Sequence, residues 1–411
     1  MKKSRIIAVL AGAAAISLSL AACSSGSGGS SGGGKPALTI EDYFTTDPAM
    51  SGFEDIYKTC ATKAGATVKA VHIAGASLIQ KVLQQASSKT LPDVLMLDNP
   101  DVQQIAETGA LAPLKNFGIK APEGDVPSVV EAGTYKGELY GLAPVINSIA
   151  LYYNKDLLDA AGVTPPKTWD ELKAAAKKLT DSSKGQYGFA MSNINNYEGT
   201  WQFLPFFWTN GGNEKDIATP QAAQALQLDV DLLNDGSMSK SSLNWTQGDV
   251  NNQFIAKKAA MMINGPWQLP ALNATKGLNF DSVPIPVRTS DQKIVSPLGG
   301  ETFNVTNTGD KAKMAAAAKI VECLNTPENQ LKIAEFSGNV PADETSAATY
   351  AKSHPQVESF VETVKTARAR TAELGPKWPV AATAIYTAVQ TALTGKASPA
   401  DALKQAQTQN K

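Results

Sequence analysis

The chain has 411 residues, 43% hydrophobic and 18% charged, long enough for two domains of roughly 150–200 residues. Basic and acidic side chains nearly cancel, 37 against 38, which argues against nucleic-acid binding. Two His and three Cys leave no material for a His-rich metal site, a multi-Cys zinc site or an iron–sulfur cluster, so no cofactor is expected.

Residues 1–22 read as an export signal. Lys2, Lys3 and Arg5 precede an apolar, Ala-rich stretch from Ile6 to Leu20, and Leu20-Ala21-Ala22-Cys23 follows. That ending resembles a bacterial lipobox. The resemblance implies that Cys23 becomes the mature N-terminus, carries a diacylglyceryl group and is often acylated further. Residues 24–34 are all Ser or Gly, so 23–35 reads as a lipidated tether. Cleavage removes three positive charges and no acidic ones, leaving 34 basic against 38 acidic residues. The lipid rather than charge then holds the protein at the outer face of the membrane. Beyond residue 22 no apolar run approaches the ~18–20 residues of a spanning helix. Export also bears on Cys60 and Cys323, which either pair in an oxidising compartment or stay two buried thiols; the compartment favours the pair.

Leu38-Thr39-Ile40 predicts a strand, then a polar loop from Asp42 to Ser51. Phe53, Ile56, Tyr57 and Cys60 recur at helical spacing, so a helix is expected over about 52–64. A strand over 68–73, a helix over 78–87 and a continuous apolar strand at 93–97 follow. The last suits a parallel sheet covered on both faces. This β-α-β-α-β rhythm predicts an α/β layer domain. A second α/β region begins near 144. It has a strand at 149–153, a helix over 154–161 closed by Gly162, and a helix over 169–179 capped by Thr168. A strand at 187–191, helices over 200–208 and 220–234, a buried strand at 260–263 and a mostly helical stretch over 376–408 complete it.

Outside the Ser/Gly segment there is no GxSxG, HExxH, Walker A or GxGxxG motif. His72 and His354 lie in no recognisable nucleophile or metal context. Paired carboxylates of the glycosidase kind have no local pattern to nominate them. The chain is therefore expected not to be an enzyme.

Tryptophan is the informative residue. Trp169, in TWDEL, reads as packing, and Trp208 with Phe206-Phe207 as core. Trp267 follows a buried strand through Asn264-Gly265-Pro266, a turn that aims an indole out of the sheet edge. Ligands of open α/β sheets bind beyond the carboxyl ends of strands. A sugar offers an apolar C–H face to an aromatic ring and hydroxyls that are costly to bury unpaired. Its site should mix exposed aromatics with short polar groups. Tyr43-Phe44-Thr45-Thr46-Asp47, Asp98-Asn99, Asn147-Ser148, Asn195-Asn196-Tyr197, Trp201, Trp245, Asn264 and Trp267 supply that mixture.

The chain resembles extracellular solute-binding proteins of ABC importers, in the carbohydrate group that includes maltose- and maltodextrin-binding proteins. The resemblance covers residues 37–408. It rests on Pro92-Asp93-Val94 through Leu111-Ala112-Pro113-Leu114, on Tyr135 to Pro144, on Leu151-Tyr152-Tyr153-Asn154-Lys155-Asp156-Leu157-Leu158, on PPKTWDEL at 165–172, on KKAAMMINGPW at 257–267 and on Gly299-Gly300. It implies an α/β, periplasmic-binding-protein-like fold: two α/β lobes joined by a hinge, with a ligand cleft between them. The first lobe is expected at 36–143 plus 299–344 and the second at 144–298 plus 345–411. Ala143–Pro144 and Leu298–Gly299 are the hinge candidates.

Carried over position by position, Trp267 matches a sugar-stacking aromatic after the same Asn-Gly-Pro, and Trp201 a second one ahead of Pro205 and Gly211-Gly212. Asn147 stands where relatives use an acidic residue. Asp98 and Asn99 occupy the sugar-contacting loop after the PDV strand. Leu97 replaces the aromatic of the maltodextrin pattern, a departure from maltodextrin itself. Tyr43 and Phe44 join the site, Gly300-Glu301 adds backbone and carboxylate contacts, and Trp378 or Tyr386 supplies the last aromatic wall. The resemblance implies a monomer that delivers a carbohydrate to ABC permease subunits. A polyamine, phosphodiester or peptide ligand is the alternative. Arg288, Arg368 and Arg370 are the only Arg beyond the signal, and Arg368 or Arg370 near the cleft would point toward an acidic or phosphate-bearing sugar.

Overall fold

Two sheets carry the fold, each capped by helices. The computed structural model describes residues 34–410; the expected export signal, Cys23 and nearly all of the expected tether lie outside them. In the first sheet, Ala37–Asp42 is flanked by Thr67–His72 and Val94–Asp98, both parallel to it. Glu301–Val305 runs antiparallel beside Val94–Asp98 and is edged by Gly141–Leu142. In the second, Ala150–Asn154 lies antiparallel to both Phe280–Val283 and Ala259–Asn264, and Tyr187–Ala190 completes the order in parallel with Ala259–Asn264.

Local chemistry explains most of these elements. The helix Ala49–Lys63 buries the stripe Phe53, Ile56, Tyr57 and Cys60. Asn154 caps Lys155–Ala161 by accepting from the Leu157 N–H, and Gly162 ends it at φ +58°. Thr168 and Glu171 form a reciprocal capping box on Trp169–Leu179. Alternation sorts the second sheet's faces: Ile149 and Leu151 enter one apolar cluster, Ala150 and Tyr152 the other. Trp169 and Trp208 are core residues, as expected, the Trp169 indole N–H donating to the Pro286 carbonyl. Cys60 and Cys323 form a disulfide between the helices Ala49–Lys63 and Lys311–Leu324.

Several passages between the sheets lie side by side. Asn147 and Gly299 exchange both backbone hydrogen bonds, at 3.1 and 2.8 Å. The Leu298 N–H donates to the Arg368 carbonyl, and Val340–Pro341 pairs with Val145–Ile146. The passage expected at 344/345 falls later. Asp343 caps the helix Glu344–Ser353, whose Tyr350 hydroxyl donates to Ala334 on the first lobe. Phe360 then packs on Tyr152 of the second sheet at 5.8 Å.

One buried carboxyl lacks any counterpart. Asp229 occupies an inward position of the helix Pro220–Asn234, in register with Ala222, Ala225, Leu226, Leu232 and Leu233. Both its oxygens lack a partner among the described residues, and burial pushes its pKa up to about 8. The folded chain thus holds a proton that the unfolded chain releases near pH 4. Stability from this group falls as pH rises from about 4 to about 8. Asp229→Asn should remove that slope and gain about 1–3 kcal/mol over the parent at pH 8. Urea midpoints at pH 5 and pH 8 check this; parallel pH dependence in both proteins would refute it.

Candidate functional site

The first wall forms where strands end. The parallel strands Ala37–Asp42 and Val94–Asp98 finish at one edge of their sheet. Glu301–Val305 runs the other way and starts there, with Glu301 opposite Asp98. Tyr43 and Phe44 follow the first strand directly. Asp42 holds their turn: its carboxylate accepts from the Phe44 N–H at 3.0 Å and the Tyr57 hydroxyl at 2.9 Å, and pairs with the His72 ring at 2.7 Å.

Carboxyls crowd this edge. The Tyr43 hydroxyl donates to Glu301 Oε1. Burial, with Asp98 nearby, pushes the Glu301 carboxyl up to about 7 against the opposing effect of the Tyr43 bond. Behind them Asp101 is raised to about 8, first by burial and then by Asp98. Arg370 supplies the balancing charge. Its guanidinium forks onto Asp98, with Nη1 to Oδ2 at 2.8 Å and Nη2 to Oδ1.

The second wall comes from two elements of the other lobe. Ala259–Asn264 is buried along its whole length and delivers the chain to Gly265-Pro266-Trp267. A Cβ on Gly265 would lie 2.0 Å from Trp267 Cζ3, so only glycine lets the indole fold back over this turn. The helix Tyr197–Thr209 starts at Asn196, whose side chain accepts from the Glu198 N–H, and carries Trp201 on its second turn. The Arg370 guanidinium lies 4.6 Å from the Trp201 ring centroid. A Cβ on Gly299 would meet Asn147 Oδ1 at 2.0 Å and Trp201 Cη2 at 2.7 Å, so the crossing strand must be bare there. Glu198 accepts from the Gln247 N–H at 2.7 Å.

Between these walls lies a cleft of ≈ 510 Å³. Of the residues expected from the sequence, Tyr43, Phe44, Asp98, Asn147, Trp201, Trp267, Gly300 and Glu301 line it. Four do not. Asn99 is buried, its amide donating to the carbonyls of Leu298 and Gly300, so it braces the crossing strand. Trp378 is sealed in the second core beside Trp208, because its helix turns that face onto Tyr197–Thr209. Trp245 packs half-buried against the other apolar cluster. The Tyr386 hydroxyl turns to Thr383 on its own helix. The cleft adds Arg370, Glu198, Gln247, Gln268 and Asn339, which sequence reasoning did not nominate as contacts, and Tyr197, noted only within a polar loop. Arg370 had one signal, the scarcity of Arg. The Gln and Asn residues had none, since only tertiary contact brings them to the cleft.

The arrangement suits a polyhydroxylated ring. Trp201 and Trp267 offer aromatic surface, while carboxylates, amides and glycine backbone offer hydrogen bonds. The indole N–H of Trp201 has no acceptor among the described residues.

Residues 55–359 match the family model described as bacterial extracellular solute-binding protein. The chain is 28% identical over 84% of its length, and 82% of the relative's, to the maltooligosaccharide ABC transporter solute-binding lipoprotein of Streptococcus pneumoniae serotype 4. It is 26% identical over 99% of its length, and 96% of the relative's, to the galactooligosaccharide-binding protein of Bacillus subtilis. Among solved structures, an ABC transporter solute-binding protein from Thermotoga lettingae, bound with alpha-D-tagatose, superimposes with a TM-score of 0.81. That pair is 26% identical, covering 92% of this chain and 99% of the other.

Proposed function

The chain belongs to the bacterial extracellular solute-binding proteins, and on that premise we propose that it captures a sugar or oligosaccharide in the cleft and delivers it to the permease of an ABC importer. The observation that carries this reading is the placement of Trp201 and Trp267, from separate elements of the second lobe, in one cleft with Asp98 and Glu301 of the first. The sugar enters between the walls, its C–H face displacing water from indole while its hydroxyls meet carboxylates and amides. Binding requires no covalent step. The crossing segments around 143–147 and 296–300 are the hinge on which the lobes close.

The protein works as a monomer on the outer face of the cell membrane, held by lipid on Cys23. Among the described residues no helix is long and apolar enough to cross a membrane. A phosphodiester or acidic ligand is less favoured, because the Arg370 guanidinium is already forked onto Asp98.

A thermal-shift screen over mono- and oligosaccharides tests the reading, since ligand at 100 times its Kd adds ~2.7 kcal/mol of stability. Trp267→Ala should weaken the bound sugar by roughly 1–3 kcal/mol, about five- to 150-fold in Kd. Calorimetric titration measures it, and a change of less than about twofold would remove Trp267 from the site.

A further inference from the structure

We propose that the cleft selects by charge, taking a sugar that bears a protonated amine over the matching neutral sugar and rejecting the matching uronate. The inference rests on the carbohydrate reading above and names a subclass of it.

The lining carries four carboxyls, on Asp47, Asp98, Glu198 and Glu301, against one cation, Arg370; no Lys or His joins them among the described residues. That cation is committed. Its guanidinium is forked onto Asp98 and stacked on Trp201, and Arg370 is only 4% exposed. The remaining groups are not equivalent. Asp47 accepts from the Ser51 N–H on the exposed rim, and Glu198 from the Gln247 N–H.

Glu301 stands apart. It is about nine-tenths buried, and its Oε1 accepts from Tyr43. Its Oε2 has no partner among the described residues. The charged groups facing it are Asp98 and Arg370, with the Tyr43 and Tyr57 hydroxyls beside them. A buried carboxylate without a counter-charge is costly, and a neutral hydroxyl offsets that cost only in part. An ammonium group supplies both the missing charge and the missing donor. A uronate would bring a further negative charge to an edge where Asp98 already occupies the one guanidinium. The burial that pushes Glu301 up to about 7 is the same imbalance seen from the proton's side.

The test uses matched glucose- and galactose-based di- and trisaccharides in neutral, 2-amino-2-deoxy and uronate forms. They are titrated calorimetrically into the wild-type protein at several pH values on either side of 7, so that the protonated amine is offered both to the neutral and to the ionised Glu301 carboxyl. The amino form should bind about tenfold tighter than the neutral one, the margin of a charge-assisted over a neutral hydrogen bond, and the uronate should bind more weakly than both. In Glu301→Gln the ratio of amino to neutral affinity should fall to within about twofold. Neutral sugars binding as tightly as amino sugars, uronates binding tightest, or the preference surviving in Glu301→Gln would each overturn the inference while leaving the sugar reading intact. Binding by none of the three forms would overturn the sugar reading itself.

Discussion

Arg370→Met should destabilise the protein by about 3–5 kcal/mol and weaken sugar binding along with it. Arg370 is 4% exposed and holds groups from both lobes: the Asp98 carboxylate at a strand end and the Trp201 indole on a helix. Its own segment is pinned just upstream, where the Arg368 N–H donates to the Ser296 carbonyl. Removing the guanidinium leaves Asp98 beside Glu301 and Asp101 with no cation. It also frees the indole face on which Arg370 rests. Because the Asp98 side chain keeps 25% of its exposure, water meets part of the loss, and the lower end of the range is expected. Arg370→Lys restores the charge without the planar fork or the stack, so it should recover only part of the stability. Urea unfolding followed by tryptophan fluorescence measures both variants. A Met variant within 1 kcal/mol of the parent would show that the pair contributes little.

Breaking the Cys60–Cys323 link should cost about 2–5 kcal/mol. The two residues are 263 apart in sequence, so the bond closes most of the chain into a loop and restricts the unfolded ensemble strongly. It ties the helix Ala49–Lys63 to Lys311–Leu324, one from each end of the first lobe's discontinuous chain. Asn329 steadies the junction by donating to the Cys323 carbonyl at 2.7 Å. The double substitution Cys60→Ala, Cys323→Ala, or full reduction of the parent, should lower the urea midpoint by the same amount. Free-thiol titration of the unfolded, unreduced protein should find neither Cys; two titrating thiols there would refute the bond.

Most helices and strands were legible because their signals are local. Leu38-Thr39-Ile40 marked the strand that runs over 37–42, helical spacing marked the buried face of 49–63 although its start was placed at about 52, and Thr168 marked one helix start; Asn154, read as the first helical residue, is the cap. The strand Phe280–Val283 had no such signal. It is half-buried along its length, and its sequence FDSV lacks a continuous apolar run. Asp229 also escaped notice, since an acid within a helix reads as a solvated face until packing covers it.

The two α/β regions and the turn after Asn264 that presents Trp267 could be read from the sequence, because each depends on residues close together in the chain. Which aromatics share the cleft depends on how distant elements pack. Trp201 and Trp378 are both helical and both largely buried, yet one reaches the cleft and the other packs against Trp208, according to how two helices pack. Packing also decided that the one cationic side chain at the cleft among the described residues answers to Asp98, 272 residues earlier, rather than waiting for an anion. Charge pairing acts through space, and no periodicity or spacing records which distant partner a folded chain brings within reach.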